Sequence, residues 1–447
     1  MDKHKKQNIL SNCNMVPLPA LDQAIVGGFI AFDELEQHGL TRDKLKELQL
    51  LDDSRNGKIV LPPPIPGLPT IDVELPLMPP IPGMPPLPTM TSPSAPIQTS
   101  ETLLEQIKNN EISADDIKKL IMEKKLTFDY LESIGVEKRV VQALKFYSSA
   151  SAFTIFKKIE DLPPMESGRT DLYMVGMPFS GKSTILASLI KHSNKQGILM
   201  HDSYNPDGNK YLETLKRNLD YGILPIATDK ASYNYIATSL KDPNGTTHPF
   251  NIVEVPGENY VKIFNQGFEN SEIPQFINYV KSNNKKILVF IIDAMSHDKR
   301  FDDEQFFGAL DQSIAYTNII SIFKDSKVLE NTDAVYFVVN KFDYIKQTRY
   351  LHDERADSEL ALDYMNQEFL SLIENCKTAR ENSRNQFKIK ILPFSIGEIV
   401  YDKIVTAIED KYPQELVKNM LEDSFVVKGG AFLEKIFLRN IYGYYTL

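Results

Sequence analysis

The stretch "DLYMVGMPFSGKSTILASLI", Asp171–Ile190, decides how the chain is read. Five mostly apolar residues give way to Gly176, then four irregular residues, then Gly181-Lys182-Ser183, then a run with helical periodicity. This is the G-x-x-x-x-G-K-[ST] pattern, and its place between a strand and a helix is what the pattern requires. Gly176 and Gly181 permit tight turns. The backbone N–H groups from Phe179 and Ser180 through Thr184 then face a phosphate at the start of the helix. Lys182 brings a positive charge to the β- and γ-phosphates of a nucleotide, and the Ser183 hydroxyl is placed to ligate Mg²⁺.

Downstream, apolar strands alternate with helices. "HPFNIVEVPG", "KKILVFIIDA", "DAVYFVVNKFD" and "FKIKILPFSIG" are rich in Val, Ile and Phe without polar alternation, so they are buried on both faces. Helices such as "EQFFGALDQSIAYTNIISIF" lie between them. The expected fold is α/β, a three-layer P-loop NTPase with a mainly parallel sheet. Ligands of such sheets sit at the carboxyl ends of the strands, where all the motifs fall.

The second motif selects the base. "FVVNKFD" puts Asn340, Lys341 and Asp343 directly after a buried strand. The Asp343 carboxylate can accept from both N1–H and N2–H of guanine, a donor pair that adenine does not offer at that edge. Asn340 would tie the base to its loop, and the Lys341 stem would cover the base's face.

With these residues in order, the region from about 170 to 447 resembles the P-loop GTPases of the Ras-like and translation-factor-like class, and within it large bacterial multi-domain regulatory GTPases. The resemblance implies GTP/GDP and Mg²⁺ as ligands and further site residues. Glu254 of "EVPG" stands where the class has the aspartate that holds a magnesium-bound water. Gly257 would sense the γ-phosphate. Glu258 occupies the usual place of a water-orienting glutamine, and its charge repels the γ-phosphate, so intrinsic hydrolysis is expected to be slow. Thr228 is the expected switch threonine, contacting Mg²⁺ and the γ-phosphate, and no arginine lies just before it to act as an internal finger. Ser395 and Ile396 match the loop that contacts guanine O6, with Gly397 in place of the customary lysine. The intervals Lys182–Glu254 and Glu254–Asn340 exceed those of a minimal domain. Insertions are expected near the first switch, in "NPDGNKYLETLKRNLDYG", and within 298–330.

The rest of the chain divides by composition. Residues 1–60 form a small module of uncertain fold, and 61–99 a proline-rich linker in which "PPPIPGLPT" and "PPIPGMPPLPT" nearly repeat. Such a segment is an extended polyproline-II spacer, or a docking site for an aromatic groove. Residues 100–155 read as a helical module, with Ser113 and Thr127 as N-caps; it serves partners or packs onto the following domain. The GTPase-like domain takes 165–447, and its C-terminal "GGAFLEKIFLRNIYGYYTL" suits a helix packed on the sheet or, alternatively, a partner or membrane-surface contact.

Composition narrows the classes. A net charge of −10 argues against non-specific nucleic-acid binding. The two cysteines, Cys13 and Cys376, form no disulfide framework, and the histidines show no zinc spacing. The longest apolar run, Ile287–Ile292, is far too short to span a bilayer. A cytoplasmic protein is expected, with no nucleic-acid or membrane partner. The expected activity is a GTP-binding switch that couples nucleotide state to a protein partner through the helical module, the linker or the switch insertions. A nucleotide-dependent scaffold without hydrolysis is the alternative. A small-molecule kinase, with Arg300 and Arg349 as lid candidates, is a third.

Overall fold

The computed structural model describes residues 25, 30–38, 40, 44, 101–226, 232–266, 272–300 and 311–426. The proline-rich segment, Thr228, part of the second insertion and the C-terminal aromatic stretch lie outside the described residues, as does most of 1–60. The chain divides into two compact units, Met1–Thr91 and Ser92–Leu447. In the first, a short helix spans Phe32–Gln37, with Leu35 fully buried and Ile30 and Leu40 nearly so.

The second unit begins with four helices: α1 (Glu101–Lys108), α2 (Ala114–Met122), α3 (Phe128–Ser133) and α4 (Lys138–Ser149). The expected caps are present. The Ser113 hydroxyl accepts from the Asp116 N–H at 3.1 Å, and the Thr127 hydroxyl from the Tyr130 N–H at 3.2 Å. Each such cap is worth about 1 kcal/mol. Ile117, Leu131, Val141 and Leu144 form the module's own small core, which Ile223, Tyr401 and Ile404 of the following domain complete. The module therefore packs onto that domain.

The domain's sheet has the strands β1 (Thr170–Val175), β2 (Leu199–His201), β3 (Asn234–Lys241), β4 (Thr247–Glu254), β5 (Lys285–Asp293), β6 (Thr332–Asn340) and β7 (Lys388–Phe394). Their order is β2-β3-β4-β1-β5-β6-β7. The strands from β4 to β7 run parallel, whereas β2 and β3 pair antiparallel at one edge. β1, β5 and β6 are buried almost throughout, as their unbroken Val/Ile/Phe runs require. Helices α5 (Lys182–Lys195), α6 (Pro206–Asp220) and α14 (Lys411–Asp423) pack together in one layer. A second layer holds α7 (Gly257–Gln266), α10 (Gln312–Asp325) and α13 (Leu370–Glu381). Between them in sequence come α8 (Glu272–Val280), α9 (Ala294–Lys299), α11 (Phe342–Thr348) and α12 (Asp357–Glu368). A hairpin, β8 (Gly397–Val400) and β9 (Ile404–Ile408), follows β7. The fold is thus an α/β layered sheet. The register sets Asp293, Asn340 and Phe394 abreast at the carboxyl ends of β5, β6 and β7. No helix among the described residues is long and apolar enough to cross a membrane.

Candidate functional site

The loop from Gly176 to Gly181 leaves β1 and enters α5. Its glycines leave room for neighbouring side chains. A Cβ on Gly176 would lie 2.5 Å from the Ser180 Oγ; on Gly181, whose φ is +93°, it would lie 2.2 Å from the Asn340 side-chain nitrogen. Phe179 also adopts a left-handed backbone, with φ +61°, although it carries a side chain, and that ring is 80% exposed. Such a conformation costs roughly 1–2 kcal/mol outside glycine.

Lys182 is buried, and its Nζ donates to the carbonyls of Gly176 and Met177 at 2.8 and 3.0 Å. Burial pushes the amine down to about 8, against the opposing pull of Glu254 and Glu258. A phosphate would supply the counter-charge that two carbonyls only partly replace. The Ser180 hydroxyl is buried without a hydrogen-bond partner. Thr184 sits half-buried in the first turn of α5.

Glu254 ends β4 and is buried. One carboxylate oxygen, Oε1, accepts from the Ser183 hydroxyl. The other, Oε2, accepts from the Tyr211 hydroxyl and, at 3.1 Å, from the Asn234 amide. Glutamate is one methylene longer than the aspartate of the resembling class, and Tyr211 and Asn234 fix that longer arm. Oε1 keeps acceptor capacity beyond its single donor. The Ser183 hydroxyl and Oε1 therefore fit a hydrated divalent cation, the hydroxyl as ligand and the carboxylate as acceptor from a bound water. Among the described residues no cluster of three or more His, Cys, Asp or Glu side chains could hold a metal.

Gly257, the first residue of α7, lies directly on the phosphate loop. A Cβ there would come within 2.3 Å of the Pro178 nitrogen. Glu258 follows, half-buried in the helix's first turn.

The base-selecting motif is tied to the same loop. The Asn340 amide donates to the Ser180 carbonyl at 2.8 Å. Lys341, with φ +57°, pairs its amine with the Asp293 carboxylate at 2.7 Å, which fixes the course of its stem. Asp343 is exposed in the first turn of α11, with no hydrogen bond from the described residues. Ser395 and Ile396 are buried after β7, and the Ser395 hydroxyl accepts from the Gly397 N–H at 3.2 Å. Gly397 has φ +115° and no room for a Cβ against the Ala407 carbonyl, so glycine is needed where the class carries a lysine.

Residues 173–312 match the family described as Double-GTPase 1, a span that takes in the phosphate loop, Glu254 and Gly257. This is a P-loop GTPase domain. The GTPase domain binds guanine nucleotides, in keeping with the Asn340-to-Asp343 motif beyond the matched span. A crystal structure of a nucleolar GTP-binding protein 1 from Plasmodium falciparum is similar over 62% of this chain and 96% of its own, at 15% identity and a TM-score of 0.28. No curated protein matches the chain.

Sequence reasoning placed the loops but missed Tyr211, Asn234 and Asn259. The last donates its amide to the Tyr233 hydroxyl. A single signal was available: a buried-pattern strand that opens with an asparagine facing the partner strand's glutamate. Of the lid candidates, Arg349 is engaged by Asp298 and Glu368 on the domain's own surface, so the geometry lends the kinase reading no support.

Proposed function

We propose that the protein is a GTP-binding switch that hydrolyses GTP slowly to GDP and phosphate and passes its nucleotide state to a protein partner. The observation that carries this reading is the Asn340–Ser180 hydrogen bond, which joins the base-selecting loop to the phosphate loop in one site. Gly176, Phe179, Ser180, Gly181, Lys182, Ser183 and Thr184 hold the phosphates. Asn340, Lys341 and Asp343 hold the guanine, and Ser395 and Ile396 border its O6. Ser183 and, through water, Glu254 would hold Mg²⁺, with Thr228 joining when GTP is bound. Such an ion would supply positive charge that offsets the charge developing on the phosphate oxygens. Lys182 would add a second positive charge, and the Gly257 N–H would sense the γ-phosphate. Glu258 places a negative charge near the attack path in place of a neutral amide, which keeps the intrinsic rate low and leaves acceleration to a partner. Its cysteine usage supports a cytoplasmic setting, and its net charge argues against non-specific nucleic-acid binding.

A scaffold that binds nucleotide without turnover is the second reading, favoured by the charge of Glu258 alone. Single-turnover hydrolysis of GTP by the purified full chain separates the two. A rate on the order of 10⁻³ s⁻¹ or below but measurable supports the switch. No phosphate release above the buffer rate, even with cell extract added, supports the scaffold. Turnover faster than about 1 s⁻¹ without a partner contradicts both.

A further inference from the structure

The segment after α4 runs as a strap along the first-switch edge of the GTPase domain. Phe156 and Tyr233 exchange backbone hydrogen bonds, at 3.1 and 2.9 Å. The Thr154 and Ser232 hydroxyls share a bond of 2.6 Å. The strap also touches both anchors of Glu254. The Ile155 N–H donates to the Asn234 Oδ1 at 3.2 Å, while the Asn234 amide donates to Glu254. The Phe153 ring stacks on that of Tyr211, 6.2 Å between centroids, while the Tyr211 hydroxyl donates to Glu254. Asn259 of α7 adds a third tie, through the Tyr233 hydroxyl. At its other end α6 leads to Tyr221, whose ring stacks on Phe146 of α4 at 4.0 Å. The next residues are held by the β8–β9 hairpin, the Val405 N–H donating to Gly222 and the Leu224 N–H to the Lys403 carbonyl, both at 2.8 Å. The described residues up to Ile226 and those from Ser232 onward thus each belong to stretches anchored back to the helical module.

We propose that Tyr211 and Asn234 are positioning residues for Glu254, and that through them the strap makes the chain's own helical module the first reader of the bound metal and nucleotide. The inference rests on the GTP-switch reading. Were Ser183 to turn from Oε1 to an ion, any shift of the carboxylate would pull on Tyr211 and Asn234, and hence on Phe153 and Ile155. A glutamate suits this role because its longer arm lets one carboxylate meet the cation site and both anchors together; aspartate falls short of the anchors.

The test uses the full chain, fluorescent GDP and a non-hydrolysable GTP analogue, titrated with Mg²⁺. Tyr211→Phe should raise the Mg²⁺ concentration needed to slow nucleotide release about tenfold, the usual cost of losing a partner behind a metal-facing group, while release without metal is unchanged. In a Glu254→Asp background the same change should have no further effect, because the shorter carboxylate does not reach residue 211. Hydrogen exchange at the Ile155 and Phe156 amides should differ between the nucleotide-free and Mg²⁺-loaded states. If Tyr211→Phe fails to fold, Phe153→Ala probes the same link from the strap and should shift the Mg²⁺ dependence in the same direction. An unshifted Mg²⁺ dependence, equal effects in both backgrounds, or strap exchange identical in all states overturns the inference while leaving GTP binding intact. Failure of the unaltered chain to bind guanine nucleotide overturns the switch reading itself.

Discussion

The two ends of the central sheet bury charge in opposite ways. At the amino end, Asp171 is fully buried and accepts from Asn251 at 2.8 Å, from Asn284 at 2.9 Å and from Ser282. Asn251 and Asn284 also donate to the Glu166 carbonyl, the Asn284 Oδ1 accepts from the Gly168 N–H, and Lys286 donates to the carbonyls of Ser282 and Asn284. Each polar side chain of that cluster has its partners within the protein. At the carboxyl end, Lys182 leans on loop carbonyls, Phe179 holds a strained backbone, and among the described residues the Ser180 hydroxyl finds no partner and the exposed Asp343 receives no hydrogen bond. A satisfied cluster stabilises the fold. An unsatisfied one at the ends of parallel strands is complementary to something the protein alone does not contain.

The comparison predicts that changes at the two ends dissociate affinity from stability. The largest effect is expected at the ligand end. Asp343→Asn should reduce the preference for GTP over ATP by on the order of 10⁴-fold in competition binding, because a carboxylate that accepts two base donors is replaced by an amide. Its unfolding free energy should stay within about 0.5 kcal/mol of the parent, as for other exposed positions. Asp171→Ala should do the reverse. It removes the nearest buried negative charge from the Lys286 amine and one of the two acceptors of each of two amides, and should cost about 3–5 kcal/mol in urea unfolding without altering base preference. A change in base preference in that variant would break the contrast.

Smaller effects sharpen it. Phe179→Gly should relieve the left-handed backbone and stabilise the nucleotide-free chain by about 1 kcal/mol, measured as a raised melting temperature. No rise would mean that the exposed ring makes up the strain elsewhere. A further effect concerns pH. Burial pushes the Lys286 amine from its ordinary value of 10.5 down to about 8. Between those values the unfolded chain binds more protons than the folded one, so stability rises with pH across that window. Lys286→Met should remove this component, giving a flatter stability profile above about pH 8 than the parent.

Much of the fold was legible because its signals are local. The Val/Ile/Phe strands, the Gly-Lys-Ser turn, Asn340 through Asp343 and the caps at Ser113 and Thr127 each declare themselves within a few residues. The insertion at "NPDGNKYLETLKRNLDYG" was legible as surplus length and became α6, Pro206–Asp220. What stayed hidden is long-range. Nothing near Tyr211 in sequence signals that its hydroxyl meets Glu254, 43 residues on. Asn234 reads as an ordinary strand opener until Ile155, 79 residues earlier, donates to it. The three-residue β2 and the β8–β9 hairpin are too short to show a period. The seating of the module on that hairpin depends on Tyr401, whose hydroxyl donates to the Ile107 carbonyl across 294 residues.

The most direct test of the central claim is a titration of the purified full chain with labelled GTP, GDP and ATP, with and without Mg²⁺. Tight binding of both guanine nucleotides, strengthened by Mg²⁺ and not displaced by excess ATP, is the predicted result. ATP binding equal to or tighter than GTP would contradict it, for then Asp343 does not read the base and the ligand site is not the one described.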